Sequence, residues 1–595
     1  MSNHKPPSPA IDTRRLTRSG AVIGFAETET CNAWLGIPYA EPPIGVLRWR
    51  APKPHSGWSG ELAALRYGSR CRQALPSFIS SESGYIGSED CLYLNIWSPS
   101  IPGERLPVMV WIHGGGNVIG GGDNYSGATL AASQDVVVVS LNYRLGALGW
   151  LRHPALRCES ASDEECSGNF GTLDMICALE WIRDNIAEFG GDPECVTIFG
   201  CSAGGWNVRS LLLSRRARRL FHRAIAQSSS LSPFDAKFSE NYTDDAEPGH
   251  PQSSRELLLE MYRGNNPTID RDVAKAHIAA MPPDAIAAYL RSKSLQQIES
   301  AYAAIADRWS ERYLRQERCN AIKLGALGPA FSAPKVFRDG VLLADDCPDT
   351  ALQPPNCDTP IPIILGSTRD EDKCFLAVDP HLVDRSEGIR ILDPEYYALL
   401  AEYLSRLWQS AGVDEPAQNH PQAVFAYRFD WDRLSSINGI DLRQLNGAGH
   451  GIECSFLFAG PIFVSGPEFG GLGGNFEVID DSNRSGFDEL SQAMMSYWAQ
   501  FAYTGDPARG RRGELPLWKP WSRSSGADKL IILDAAGGGG IRPSGSSADK
   551  QSILQQIDTD PRLCDSEQRL RLYHDIFIYA ITRLTADEYD NAIAR

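Results

Sequence analysis

Short unbroken apolar runs recur along the chain, each bounded by glycine or polar residues: LPVMVWIH at 106–113, DVVVVSLNYR at 135–144 and CVTIFG at 195–200. Continuous runs of this length, rich in β-branched residues, predict strands buried on both faces rather than half-solvated ones. A helical stretch, LDMICALEWIRDNIAEF, precedes the third run. Strand, helix, strand with apolar strands predicts a parallel sheet covered by helices on both sides. RAIAQSS at 223–229, IPIILGS at 361–367 and AVFAYRF at 423–429 continue the series. The fold class is therefore α/β, with one large, mostly parallel central sheet.

The pattern changes between about 250 and 330, where RELLLEMY and DAIAAYLRSKSLQQIESAYAAIADRW are helical and carry no strand signal. A helical insertion over the sheet is expected there. AAGGGGIRPSGSS at 535–547 reads as a flexible loop, and 549–582 as one amphipathic helix. Neither this glycine run nor GPEFGGLGGNF follows a strand and opens a helix, as a nucleotide-binding loop must, so no cofactor is expected.

Composition narrows the function. Of 595 residues, 43% are hydrophobic, enough for a large core, and the formal net charge of −17 opposes nucleic acid and anionic membrane surfaces as partners. The start, MSNHKPPSPAIDTRR, has no apolar leader, and no apolar run approaches the ~20 residues of a membrane span. A cytoplasmic protein is expected, and a secreted one only if a leader has been removed; the sequons at 241 and 483 matter only in that case. Fourteen cysteines in so long a chain do not make a disulfide scaffold, and none shows zinc spacing. Most read as small buried hydrophobes.

The candidate chemistry begins at FGCSAGG, residues 199–205. A nucleophile on a sharp strand-to-helix elbow needs small residues two positions either side. Gly200 and Gly204 flank Ser202 in this way, whereas Cys201 has Phe199 and Ala203 at those places. A serine hydroxyl needs a base and an orienting acid, and on such a scaffold both follow the serine in sequence. Seven histidines do so, and His450 in NGAGHGIE is the one flanked by glycines after a strand. Asp370 and Glu371, just past the strand IPIILGS, are both candidates for the acid; spacing does not choose between them. Gly114, Gly115 and Gly116 in WIHGGGN leave backbone amides open to a developing oxyanion, and the amide after Ser202, that of Ala203, adds another.

These motifs together resemble the type B carboxylesterases, the cholinesterase-like branch of the α/β-hydrolases, with bacterial para-nitrobenzyl-esterase-like members. LGIPYAEPPIGVLRWRAP, SEDCLYLNIW, WIHGGG, LNYRLGALGWL, GNFGTLDM, FGGDPECVTIFGCSAGG, RDEDKCFL, HGIE and YWAQFAYTGDP occur in the family's order over about residues 20–535. The resemblance implies a polar extension over 1–19, a single α/β-hydrolase domain over 20–582 with the insertion at about 250–330, and a tail over 583–595. It also implies Ser202 as nucleophile, His450 as base and Glu371 as acid. Gly115, Gly116 and Ala203 would form the oxyanion hole, Ser228 would support acid and base, and Cys71 with Cys91 would match an early disulfide that stays reduced in the cytosol. The activity implied is that of a serine carboxylesterase working on a small-molecule ester and water through an acyl-enzyme. The alternatives are a non-catalytic binding protein on the same fold, which such proteins reach by losing the serine, and a lipase, which favours a longer amphipathic lid than RQALPSFISSESGYIGSED at 72–90.

Three positions depart from the family. Cys201 stands where a glutamate usually precedes the serine; losing a carboxylate ~8 Å from the imidazolium removes roughly 2 kcal/mol of attraction at an effective dielectric of ~20. Asn117 replaces an aromatic after the third glycine. The 72–90 loop has Phe78 and Tyr85 but no tryptophan, which weakens a choline-type cation site.

Overall fold

The computed structural model describes residues 7–74, 84–100, 105–157, 162–230, 233–266, 268–314, 335–344, 360–437, 439–462 and 478–579. Phe78, much of the 72–90 loop and the 583–595 tail lie outside the described residues. Among those described, an eleven-stranded sheet runs through the molecule. In chain order its strands are β1 (Phe25–Thr28), β2 (Cys31–Pro38), β3 (Tyr93–Pro99), β4 (Leu106–Ile112), β5 (Val137–Leu141), β6 (Gly191–Cys201), β7 (Arg223–Gln227), β8 (Ile363–Thr368), β9 (Val424–Phe429), β10 (Leu530–Leu533) and β11 (Arg542–Ser544).

Their spatial order is β11-β10-β9-β8-β7-β6-β4-β5-β3-β2-β1. From β5 to β10 neighbours are parallel, and β1 to β3 and β11 add antiparallel edges. Each apolar run read as a strand is one. Alternate residues of β4 divide between two apolar layers, Val108, Val110 and Ile112 entering one and Met109 and Trp111 the other, as the two-residue repeat of a doubly covered strand requires.

The first layer gathers α1 (Phe170–Asn185), α2 (Ala203–Leu213) and the inserted helices α3 (Ser254–Gly264), α4 (Arg271–Ala279), α5 (Pro283–Ser292) and α6 (Leu295–Leu314). Local chemistry starts these helices where they start. Ser253 accepts from the Glu256 amide, Asp270 from those of Asp272 and Val273, and Pro283 occupies the first turn of α5. The second layer gathers α7 (Pro394–Gln409), α8 (Ile452–Phe458), α9 (Arg484–Thr504), α10 (Lys550–Thr559) and α11 (Ser566–Tyr579).

Two expectations are corrected. The single helix expected over 549–582 is broken into α10 and α11, because Pro561 has no amide hydrogen and pushes Asp560 to an extended ψ of 118°. The loop expected at 535–547 contains β11, an edge strand on β10 in which Pro543 pairs with Ile531; an edge position tolerates proline. Among the described residues no helix is long and apolar enough to cross a membrane.

The chain leaves β4 for β5 on one side and returns to β6 on the other, so the carboxyl ends of β4 and β6 open a crevice between loops that diverge. Sheets of this class bind ligands at such a point. The glycine loop follows β4, and Ser202 follows β6.

Candidate active site

Ser202 sits between the last residue of β6 and the first of α2, with φ 60° and ψ −126°. Positive φ in a residue with a Cβ is strained and survives only where the surroundings enforce it. The enforcement is close packing of strand and helix. A Cβ on Gly200 would lie 2.6 Å from the Ile112 carbonyl oxygen and 2.7 Å from the backbone of Gly204. A Cβ on Gly204 would overlap the same oxygen outright. Gly204→Ala must therefore push α2 off β4, and it is expected to lower kcat/KM by more than about tenfold and to lower the melting temperature; a variant with wild-type values of both would contradict this account of the elbow.

The glycine loop lies directly against the serine. A Cβ on Gly114 would come 2.8 Å from the Cys201 carbonyl oxygen and 3.2 Å from Ser202 Cβ. Beyond it Gly115 and Gly116 take φ values of 99° and 62°. Among the described residues, the amides of Gly115, Gly116 and Ala203 donate to no protein acceptor. These are three unclaimed N–H groups, one of them at a helix N-terminus with its partial positive charge, of the kind that can receive a developing oxyanion.

Of the acid and base candidates, Glu371 lies just past β8 and His450 in the loop that enters α8. Glu371 is wholly buried; one carboxylate oxygen accepts from the Thr368 amide at 2.8 Å and the other lies 2.6 Å from His450 Nδ1. With Nδ1–H donated to Glu371, Nε2 is the acceptor nitrogen, and it is buried without a hydrogen-bond partner. Ser202 and His450 are not hydrogen-bonded to one another here, and in unliganded sites such bonds often close only on substrate binding. Gly451, at φ 81°, caps α8 immediately after the histidine.

Asp370, the other acid candidate, points elsewhere: it pairs with Arg369 at 2.9 Å and Lys373 at 3.2 Å and accepts the Ala448 amide at 2.9 Å. It props the loop that carries His450. Trp408 and Phe375 flank the imidazole at ring-centroid distances of 4.9 and 5.3 Å.

A model of the carboxylesterase family matches residues 8–390. The chain belongs to the carboxylesterase family. It is 32% identical over 542 residues to the para-nitrobenzyl esterase of Bacillus subtilis (strain 168), covering 87% of this chain and 94% of that one. It is 31% identical over 535 residues to the phenmedipham hydrolase of Pseudarthrobacter oxydans, covering 84% and 91%, and 31% identical over 562 residues to human carboxylesterase 3, covering 88% and 87%. A solved PNB esterase structure superposes with a TM-score of 0.62 at 26% identity, over 91% of this chain and 99% of that one. The protein is a carboxylic ester hydrolase with the α/β-hydrolase fold.

Behind the Glu371–His450 pair of this carboxylesterase lies a layer that sequence reasoning identified only in part. Glu453, wholly buried, accepts from Ser228 Oγ at 2.8 Å and from Cys201 Sγ at 3.5 Å. Ser228 thus reaches Glu453, not Glu371 or His450. Burial, followed by the charge of Glu371, raises the pKa of Glu453. A carboxylate absent at position 201 is therefore present in the same neighbourhood, delivered from α8.

The neighbouring Cys454, followed by burial, pushes the Cys201 thiol pKa well up, which disfavours the thiolate that a cysteine nucleophile needs. Cys201, Glu453 and Cys454 present ligand atoms within 4.8 Å of one another, the group among the described residues that could hold a thiophilic metal. Cys71 and Cys91 are both buried and unbridged, and the neighbouring Cys71, followed by burial, pushes the Cys91 thiol well above its ordinary pKa.

Proposed function

We propose that this carboxylesterase hydrolyses small esters through an acyl-enzyme on Ser202, with His450 as base and then acid and Glu371 as its orienting carboxylate. The observation that carries the assignment is the 2.6 Å Glu371–His450 contact at Nδ1 with Nε2 left free. Nε2 takes the Ser202 proton as Oγ attacks the carbonyl carbon. The amides of Gly115, Gly116 and Ala203 receive the oxyanion, and Glu371 balances the imidazolium. The tetrahedral adduct collapses, the leaving alcohol takes the proton from Nε2, and water repeats the cycle on the acyl-enzyme. Ser228 and Cys201 act behind this set by holding Glu453.

The apolar rings of Trp408 and Phe375 beside the imidazole support a preference for esters of an apolar or aromatic alcohol. The name of the Bacillus relative, a para-nitrobenzyl esterase, agrees with that preference. The test is hydrolysis of p-nitrophenyl butyrate and of a para-nitrobenzyl ester at pH 7.5, with a fluorophosphonate added to a parallel sample. Turnover, its loss on labelling and the label on the peptide carrying Ser202 are expected. A label elsewhere, or turnover that survives full labelling, overturns the assignment.

The pH profile follows from the surroundings of His450. Burial lowers the imidazole pKa, but the charge and hydrogen bond of Glu371, with the charges of Glu453 and Asp372, outweigh it and leave the pKa above its ordinary 6.5. The base must be neutral to act, so activity is lost as pH falls through that raised value. The acid limb of kcat/KM is expected to have its midpoint above 6.5 and to fall about tenfold per pH unit below it. A flat profile contradicts the assignment of His450, and a midpoint below 6.5 contradicts the raised pKa.

A further inference from the structure

We propose that the paired carboxamides of Asn117 and Asn207 position the oxyanion hole by setting the spacing between its two halves. The inference rests on the reading above, in which Gly115 and Gly116 supply donors from the loop after β4 and Ala203 supplies one from the start of α2. These amides belong to segments far apart in sequence. Their relative placement must be fixed by something that crosses between them.

Asn117 ends the glycine loop. It is the third successive residue at positive φ, 59° after 99° and 62°, and asparagine is among the few residues with a Cβ that visit this region readily. Where the family resemblance leads one to expect an aromatic side chain lining the crevice, the Asn117 side chain is fully buried. Its Oδ1 accepts from Asn207 Nδ2 at 2.8 Å, and its Nδ2 donates back to Asn207 Oδ1 at 3.3 Å. Asn207, also fully buried, lies four residues beyond Ala203 on α2, one turn along the helix. One half of the pair therefore belongs to the glycine loop and the other to the helix whose first amide completes the hole.

Tyr143 secures the loop's other end in the same place. Its hydroxyl donates to the His113 carbonyl at 2.7 Å and lies 3.3 Å from Asn117 Oδ1, and its ring stacks on His113 at 4.4 Å. The Asn117 carbonyl accepts the Gly146 amide at 2.7 Å. Apolar side chains would fill this space as well, but they would let loop and helix slide; two opposed amides fix direction as well as distance. Oxyanion stabilisation depends on donors preset at hydrogen-bonding distance from where charge develops, so a small displacement of one half lowers the rate more than it lowers substrate binding.

The experiment compares wild type, Asn117→Gly, Asn207→Ala and the double variant. Glycine keeps the left-handed backbone at 117 while removing the carboxamide, and alanine keeps the helix at 207. Active sites are counted by fluorophosphonate titration, kcat and KM are measured with p-nitrophenyl butyrate well below each melting temperature, and inhibition is measured with a trifluoromethyl ketone, whose adduct carries the oxyanion. Removing one donor outright costs about 10²–10³-fold in such sites, so a displaced donor should cost about 10–100-fold in kcat per active site, with KM changed less than about threefold. The inhibitor should weaken by a matching factor, and the double variant should be no worse than the worse single. Unchanged kcat with a lowered melting temperature, a loss confined to KM, or losses that multiply in the double variant overturns the proposal. Absence of Ser202-dependent turnover in the wild type would instead remove the reading on which it rests.

Discussion

Ser202→Ala is expected to leave the fold intact and to reduce kcat by ~10⁴-fold or more, the loss seen when a triad that works as a unit is broken at its nucleophile. The fold should survive because the elbow is held by its backbone and its glycines. The Ser202 amide donates to the Gln227 carbonyl and its carbonyl accepts from Trp206, each at 3.0 Å. Alanine keeps both bonds, and it keeps the Cβ around which the strained φ of 60° is already accommodated. What disappears is Oγ, the atom on which the proposed acyl-enzyme forms. The amides of Gly115, Gly116 and Ala203 remain, and a residual rate of ~10³-fold or more over water is expected from them and from substrate binding.

Cys201→Ala is the matched control, because Cys201 is next to the serine and hands its thiol to the buried Glu453. It should lose far less than the serine variant. Rates for both, normalised to folded protein by circular dichroism, decide the matter. A nearly inactive cysteine variant beside an active serine variant would move the chemistry to the thiol.

The parts of this site that were legible in the sequence are those whose physical cause is local. Gly200 and Gly204 announce an elbow because both face one carbonyl oxygen, that of Ile112. The apolar runs announce strands because each strand's two faces are covered by different layers. Asp370 and Glu371 could not be separated from residue type and spacing, since adjacent carboxylates after a strand differ only in which way the turn aims them. The structure turns one toward His450 and the other toward Arg369, Lys373 and the Ala448 amide. Glu453 and Asn207 were missed because their partners, Cys201 and Asn117, lie 252 and 90 residues away, and no local pattern encodes contacts of that range. The three-residue edge strand at 542–544 was hidden for a related reason, because it exists through its neighbour β10 rather than through its own Arg-Pro-Ser composition.

Glu371→Gln is the second large effect expected, a loss of ~10³–10⁴-fold in kcat, the scale set by replacing a triad carboxylate with its amide. The side chain keeps its size, so the loss must come from protons. Glu371 accepts twice, from the Thr368 amide and from His450 Nδ1, at 2.8 and 2.6 Å. Glutamine can accept at only one of those places. If its oxygen stays with Thr368, its NH₂ faces Nδ1, which must then be the acceptor; the imidazole proton moves to Nε2, and the base presents a donor to Ser202. If the amide turns over, NH₂ meets the Thr368 N–H in a wholly buried site, and the imidazolium has lost its counter-charge.

In either arrangement the electrostatic support that holds the His450 pKa above 6.5 is largely removed while burial, which lowers it, remains. The acid limb of the residual activity should therefore shift to lower pH even as the plateau falls. Asp370→Asn separates this from general disturbance of the same turn: it loses ion pairs to Arg369 and Lys373 but leaves the Glu371–His450 contact in place, so it should cost far less and leave the limb where it was. An Asp370→Asn variant with the larger loss and the shifted limb, beside an active Glu371→Gln, would reassign the acid to the neighbouring residue. Equal losses with no shift in either would mean that this turn serves the fold and that the imidazole is oriented from somewhere else.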